Sequence, residues 1–153
     1  EVVTPCLGHL DYLIINDFEV AALAGRPVQH GEETDLAACL ENARDVLASG
    51  SMELLVVHFP LGSIAMSREG DPLITPSVAI PKEAVAGPNG AGDAFASGIL
   101  YGLHQGWNLK ATLQLAHAVA AASMRHIGTT DGIDRWQKCL EIASAYGLRD
   151  ELI

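Results

Sequence analysis

Gly87-Pro88-Asn89-Gly90-Ala91-Gly92-Asp93, followed by Ala94-Phe95-Ala96-Ser97-Gly98, decides how this chain is read. Three glycines fall within residues 87–92, so the stretch carries little side-chain bulk. Helical spacing starts at once behind it, with Phe95, Ile99, Leu100 and Leu103 on one side. A glycine-rich turn that feeds a helix N-terminus leaves backbone N–H groups for an anion. Small residues let phosphate oxygens come close to those groups. Asp93, at the junction, has two readings. It caps the helix, as Asp commonly does, or it takes a proton from a hydroxyl attacking a bound phosphate. The same residues begin like the P-loop pattern G-x-x-x-x-G-K-[ST]. Gly87 and Gly92 fit it, but Asp93 replaces the phosphate-binding lysine and Ala94 replaces the magnesium-binding hydroxyl. That mismatch rejects a P-loop ATPase.

Upstream of the loop, the apolar run ending at Ile15 reads as a buried strand over residues 11–15, closed by polar Asn16 and Asp17. In open α/β sheets ligands collect beyond the C-terminal ends of strands, which puts Asn16 and Glu19 in a useful place. The same two residues also read as the cap and third-position carboxylate of a helix over 17–24, ended by Gly25. Residues 26–33 read as a polar loop. Thr34 or Asp35 caps the next helix, whose stripe is Leu36, Cys39, Leu40, Ala43 and Leu47, up to Gly50. Cys39 in that stripe reads as a core thiol. Leu54–Val57 is a second buried strand, Ile64–Met66 returns from it, and Arg68–Pro72 is a turn. Pro76 and Pro81 make residues 73–86 edge or bent segments.

Downstream, Gly102 and Gly106 interrupt and then stop the helix behind Asp93. Asn108 caps a helix from Leu109 to Arg125, followed by Gly128. Ile133, Trp136, Leu140, Ile142 and Ala143 outline a last helix with Trp136 as a packing anchor. Strand–helix passages joined by short turns suit a doubly wound α/β sheet.

The chain of 153 residues is long enough for one good core, and 49% hydrophobic residues make it globular rather than disordered. A formal charge of −10 argues against general nucleic-acid binding, which needs clustered Lys and Arg. A nucleotide stays compatible with it, because backbone donors and magnesium offset phosphate charge locally. Cys6, Cys39 and Cys139 are sparse, without metal-ligand spacing, and read as reduced thiols of a cytoplasmic protein. No run of 18 apolar residues suggests a membrane span.

The run Gly90-Ala91-Gly92-Asp93-Ala94-Phe95 resembles the G-A-G-D-x-F signature of the ribokinase-like (PfkB) family of sugar and nucleoside kinases. Asn16-Asp17-Phe18-Glu19 resembles the family's N-x-x-E motif. Ala116-His117-Ala118-Val119-Ala120-Ala121-Ala122 resembles its alanine-rich helix beside the nucleotide base. The motifs stand in the family's order, and the similarity covers most of the chain.

The resemblance implies a ribokinase-like three-layer α/β sandwich, here a fragment with an open, mainly parallel sheet flanked by helices. Residues 1–153 would be the C-terminal nucleotide-binding and catalytic part. The N-terminal substrate-binding half and the lid would lie elsewhere in the polypeptide, an expectation that matches a chain starting at Glu1 without methionine. Gly90, Ala91 and Gly92 would form an anion hole and Asp93 would be the catalytic base. Asn16, His58 and His117 would bind the nucleotide, and Glu19 would hold Mg2+ through water. The implied cofactors are ATP and Mg2+. The implied partners are a sugar, nucleoside or polyol substrate, the missing half, and a second copy in a homodimer, with no nucleic acid or membrane. The isolated chain would be inactive.

Three positions depart from the family pattern. His58-Phe59-Pro60 stands where a Thr-Leu-Gly-like turn commonly contacts the nucleotide, and Pro60 has no N–H to donate. His58 is then either a substitute donor or a strand-end histidine. Gly87-Pro88-Asn89 stands in place of an Asp-Thr-Thr-like triplet whose aspartate helps bind potassium in relatives. Backbone carbonyls near residues 85–89 and the Gly128-Thr129-Thr130 turn are the remaining candidates for a K+ site. His117 stands where the family commonly has Asn, and composition alone makes its helix a core helix. The departures at His58, Pro60 and Gly87 support the alternative of a non-catalytic nucleotide-binding or regulatory module on the same scaffold.

Overall fold

The computed structural model describes residues 2–30, 33–150 and 152. The chain forms two compact units, one through Ile74 and one from Thr75 onward. In the first, a 3-10 turn at Thr4–His9 leads into β1 (Tyr12–Asn16), α1 (Asp17–Ala24), β2 (Gln29–His30) and β3 (Glu33–Thr34). Then come α2 (Leu36–Ser49), β4 (Leu54–Phe59), β5 (Gly62–Ser67) and β6 (Leu73–Pro76), within which the chain passes to the second unit. The second unit has a 3-10 turn at Lys82–Ala84, then α3 (Ala91–His104), α4 (Leu109–Met124) and α5 (Trp136–Tyr146).

Local signals explain the helices of the first unit. α1 is opened by Asn16 and closed by Gly25, which adopts the left-handed conformation at φ 71°. α2 is opened by Asp35, whose side chain accepts from the Ala38 N–H at 3.0 Å. The stripe of α2 buries Cys39, Ala43, Val46 and Leu47 in one core with Val20 of α1, Leu55 and Val57 of β4, and Ile64 of β5. Asn42 is buried in the same stripe. It accepts from Arg26 Nε at 2.9 Å and donates to the Arg26 carbonyl at 2.8 Å, so its amide is satisfied.

The sheet departs from expectation. Its order is β1-β4-β5-β6. β1 and β4 are parallel, from Tyr12↔Leu54 to Asn16↔His58, joined by a crossover that carries both helices. β4 and β5 are antiparallel, from Leu54↔Ser67 to Phe59↔Gly62. Only Pro60 and Leu61 link them, and a parallel return needs a connection of about a dozen residues or more. Residues 68–72, between β5 and β6, are also too few for a crossover. The sandwich is α/β, but its core sheet is mixed and mostly antiparallel, not mainly parallel. Residues 26–33 are also more than a polar loop. They contain most of the β2–β3 hairpin, paired Gln29↔Thr34 and His30↔Glu33, whose strands are too short to register as periodicity.

In the second unit α3 runs unbroken through Gly98 and Gly102, and the chain turns only at Gly106, φ 69°. The two inner glycines are a packing seam, not breaks. A Cβ on Gly98 would lie 2.5 Å from the Ala116 Cα, and one on Gly102 would lie 2.5 Å from Thr112 Oγ1. Each glycine costs a helix about 1 kcal/mol against Ala, and close approach of α4 offsets that cost. α4 is capped by Asn108, which accepts from the Ala111 N–H at 2.9 Å, and buries Ala116, Ala118, Ala121 and Ala122. α5 packs on α4 through Cys139, and the Trp136 ring meets Trp107 edge-on at 5.0 Å, the packing role expected of it. Among the described residues no helix is long and apolar enough to cross a membrane.

Candidate functional site

In the first unit, Asn16 and His58 are register partners at the C-terminal ends of the parallel strands β1 and β4. Both are half-buried. Asn16 also starts α1. Its Oδ1 accepts from the Glu19 N–H at 2.8 Å, while Glu19 Oε2 accepts from the Asn16 N–H at 2.8 Å. The capping box read from the spacing is therefore formed. It engages Oε2 of an otherwise exposed carboxylate. Such a carboxylate fits Mg2+, which keeps several waters and takes one or two carboxylates together with substrate phosphates. Among the described residues, no three His, Cys, Asp or Glu side chains cluster as a dedicated metal cage. Between the two motif residues lies Asp17, which the sequence marks only as a polar strand end. It is buried and bonded to Gln29 and Thr34, and no local spacing links those positions.

In the second unit, the decisive loop ends earlier than Asp93. Gly90 is the N-terminal cap residue of α3, at φ 80° and ψ −1°, and the helix proper begins at Ala91. Its first intrahelical bond runs from the Ala94 N–H to the Gly90 carbonyl at 2.9 Å. The Ala91 N–H donates back to the Pro88 carbonyl at 3.2 Å. The N–H groups of Gly92 and Asp93 follow in the first turn, where helix geometry provides no acceptor behind them. Asp93 is exposed and makes no capping bond. The cap reading of Asp93 is thus corrected: a left-handed glycine does that work, and the carboxylate stands in the positive end of the helix dipole.

Two further contacts define this loop. A Cβ on Gly90 would lie 2.7 Å from Thr129 Cβ, so the turn after α4 lies directly against the start of α3. The N–H groups of Ala86 and Gly87 both reach the Met124 carbonyl at the end of α4, at 2.8 and 3.3 Å. The structure therefore brings residues 86–90 and the Gly128–Thr130 turn together within this unit. An anion at the first turn of α3 would meet backbone donors and no bulky side chain, which fits a phosphate group. His117 lies deeper, 4% exposed, with its ring edge-on to Phe95 at 4.9 Å. A groove of about 520 Å³, lined by Ser97, Tyr101, Val119, Arg135 and Trp136 among others, lies elsewhere on α3, α4 and α5, and neither Asp93 nor His117 lines it.

Known proteins share this fold. The chain is 23% identical over 131 residues to an adenosine kinase of Schizosaccharomyces pombe. That match covers 85% of this chain and 38% of the relative. Ribokinase from Arabidopsis thaliana, solved with ribose and ATP, superposes with a TM-score of 0.78 at 20% identity, over 92% of this chain and 43% of that one. A nucleoside kinase from Burkholderia thailandensis, solved with inosine, gives a TM-score of 0.71 at 20% identity, over 97% and 45%. The chain thus spans less than half the length of each of these proteins. At these identities the solved structures speak for the fold. The pfkB family model matches residues 1–136, taking in the Asn16–Glu19 box, the Gly90–Asp93 helix start and the alanine helix, and the chain belongs to the pfkB family of carbohydrate kinases.

Proposed function

We propose that this chain is the C-terminal, ATP-handling part of a kinase that phosphorylates an alcohol group of a sugar, nucleoside or polyol. One observation carries the reading: α3 opens on a left-handed glycine with small residues, and an exposed carboxylate that caps nothing stands in its first turn. Gly90 occupies the cap position, so the carboxylate of Asp93 is not needed there. One left exposed beside first-turn donors suits proton transfer next to a phosphate.

ATP supplies the phosphoryl group when bound, and Mg2+ then offsets phosphate charge. Gly90, Ala91 and Gly92 form the cradle, and first-turn N–H groups stabilise charge on the transferred group. Asp93 accepts the proton of the attacking hydroxyl. Glu19 would hold Mg2+ through water, where the ion would offset phosphate charge. Asn16 and His58, at their strand ends, are assigned to the nucleotide. His117, buried against Phe95, is assigned to the wall of its base site. Carbonyls of residues 85–89 and 128–130 are the candidates for a K+ ion, and the packing of Gly90 against Thr129 supports that assignment.

The substrate class follows the relatives, one solved with ribose and ATP and another with inosine. Substrate contacts and the lid are assigned to an N-terminal half, because the chain spans 43% and 45% of those kinases. The three free thiols, Cys6, Cys39 and Cys139, support a reducing, cytoplasmic setting.

Calorimetry with Mg-ATP, NAD and an oligonucleotide tests the ligand, and ADP production by the complete polypeptide across sugars and nucleosides tests the reaction. The expected result is Mg-ATP binding and acceptor-dependent ADP release. Selective NAD binding, or no acceptor supporting turnover, would overturn the proposal.

A further inference from the structure

Asp17 is a buried acid whose hydrogen-bond partners among the described residues include no cation. It occupies the first position of α1, between Asn16 and Glu19, and is 4% exposed. Its Oδ2 accepts from Thr34 Oγ1 at 2.6 Å and from Gln29 Nε2 at 3.3 Å, and its Oδ1 accepts from the Phe18 N–H at 3.1 Å. Gln29 and Thr34 face each other across the β2–β3 hairpin. One carboxylate oxygen therefore holds both strands of the hairpin against the first turn of α1.

Burying a carboxylate is costly unless donors surround it. Here the helix N-terminus and the three donors supply the compensation. The capping of α1 does not require this group, because the reciprocal Asn16–Glu19 box already performs it. What the clamp adds is orientation. The first turn carries the Glu19 carboxylate and the Asn16 amide, and the clamp gives that turn a fixed partner outside its own helix.

We propose that Asp17 is a positioning residue that aims Glu19 and Asn16 by locking the first turn of α1 to the β2–β3 hairpin. The inference rests on the assignment of Glu19 to magnesium above. Groups that orient a metal's direct ligands commonly change metal affinity or activity by about 10–100-fold when removed, and Glu19, which acts through water, puts the expected effect at the lower end of that range.

The test uses the complete kinase polypeptide and the variants Asp17→Asn, Thr34→Val, Thr34→Ser and Glu19→Gln. Turnover is measured against Mg2+ concentration at saturating ATP and acceptor, beside thermal unfolding and amide exchange of residues 16–19. Asp17→Asn and Thr34→Val should raise half-saturating Mg2+ about tenfold, with faster exchange at residues 16–19. Thr34→Ser, which restores the hydroxyl, should behave like the parent. In the Glu19→Gln background, Asp17→Asn should add little, because the two act through one path. A wild-type Mg2+ dependence in Asp17→Asn or Thr34→Val, beside a shifted Glu19→Gln, would overturn this inference alone. So would full additivity of the Asp17 and Glu19 changes. An unshifted Glu19→Gln would overturn the magnesium assignment itself and the inference with it. Thr34→Val keeps the carboxylate in place, so the test stands even where Asp17→Asn fails to fold.

Discussion

Asp93 stands in the first turn of α3 without capping it. Its removal therefore breaks no capping bond. Asp93→Ala in the complete enzyme should lose only a charge–dipole contribution of about 0.3–1 kcal/mol, and Asp93→Asn about as little. Turnover of the folded Asn variant should fall about 10²–10⁴-fold while ATP affinity holds. Parallel unfolding, affinity and turnover measurements check this, and normal turnover would remove the catalytic role. Asn16 behaves in the opposite way, because its side chain caps α1. Asn16→Ala should cost about 0.5–2 kcal/mol of stability. Cys39 reports on the core of the first unit. Burial, then the charges of Asp17 and Asp35, push its thiol from 9.0 up to about 12. The folded state thus holds this proton more tightly than the unfolded chain. Its contribution to stability is complete below pH 9 and is lost as pH rises toward 12. Denaturation midpoints across that window should decline less steeply in Cys39→Ala, and an unchanged slope would refute the assignment.

At the scale of elements, periodicity and caps located most of the helices. α1 matches its expected bounds, Asp35 and Asn108 cap where the sequence placed caps, and α4 ends one residue short of Arg125. The failures share a cause. Glycine disfavours an isolated helix, so the sequence predicts an interruption at Gly102, yet here it faces Thr112 of a neighbouring helix. The β2–β3 pair escapes a sequence reading because its strands are two residues long and are tied down by Asp17. Gly98→Ala tests the seam between α3 and α4. The added methyl would meet the Ala116 Cα at 2.5 Å, which is backbone and cannot swing aside. The expected loss is about 1–3 kcal/mol, read by chemical denaturation, typical of overpacking. A neutral or stabilising Gly98→Ala would mean that the helices have room to part.

At the scale of the whole molecule, the chain covers 38% of the adenosine kinase and 43% of the ribokinase it resembles. Phosphoryl transfer needs two substrates held in line. The 153-residue chain alone should therefore give no acceptor-dependent ADP production, while the complete polypeptide should. Turnover by the short chain at ordinary kinase rates would refute the division of labour. Much of the local structure was legible in the residues: the glycine-rich helix start, the Asn16–Glu19 box and the apolar runs are local patterns, and local backbone physics obeys local patterns. The exposure of Asp93, the burial of His117 beside Phe95 and the clamp on Asp17 were not legible. Each depends on which distant segment lies alongside, and strand pairing, helix contact and long-range hydrogen bonds leave no mark in the spacing of neighbouring residues.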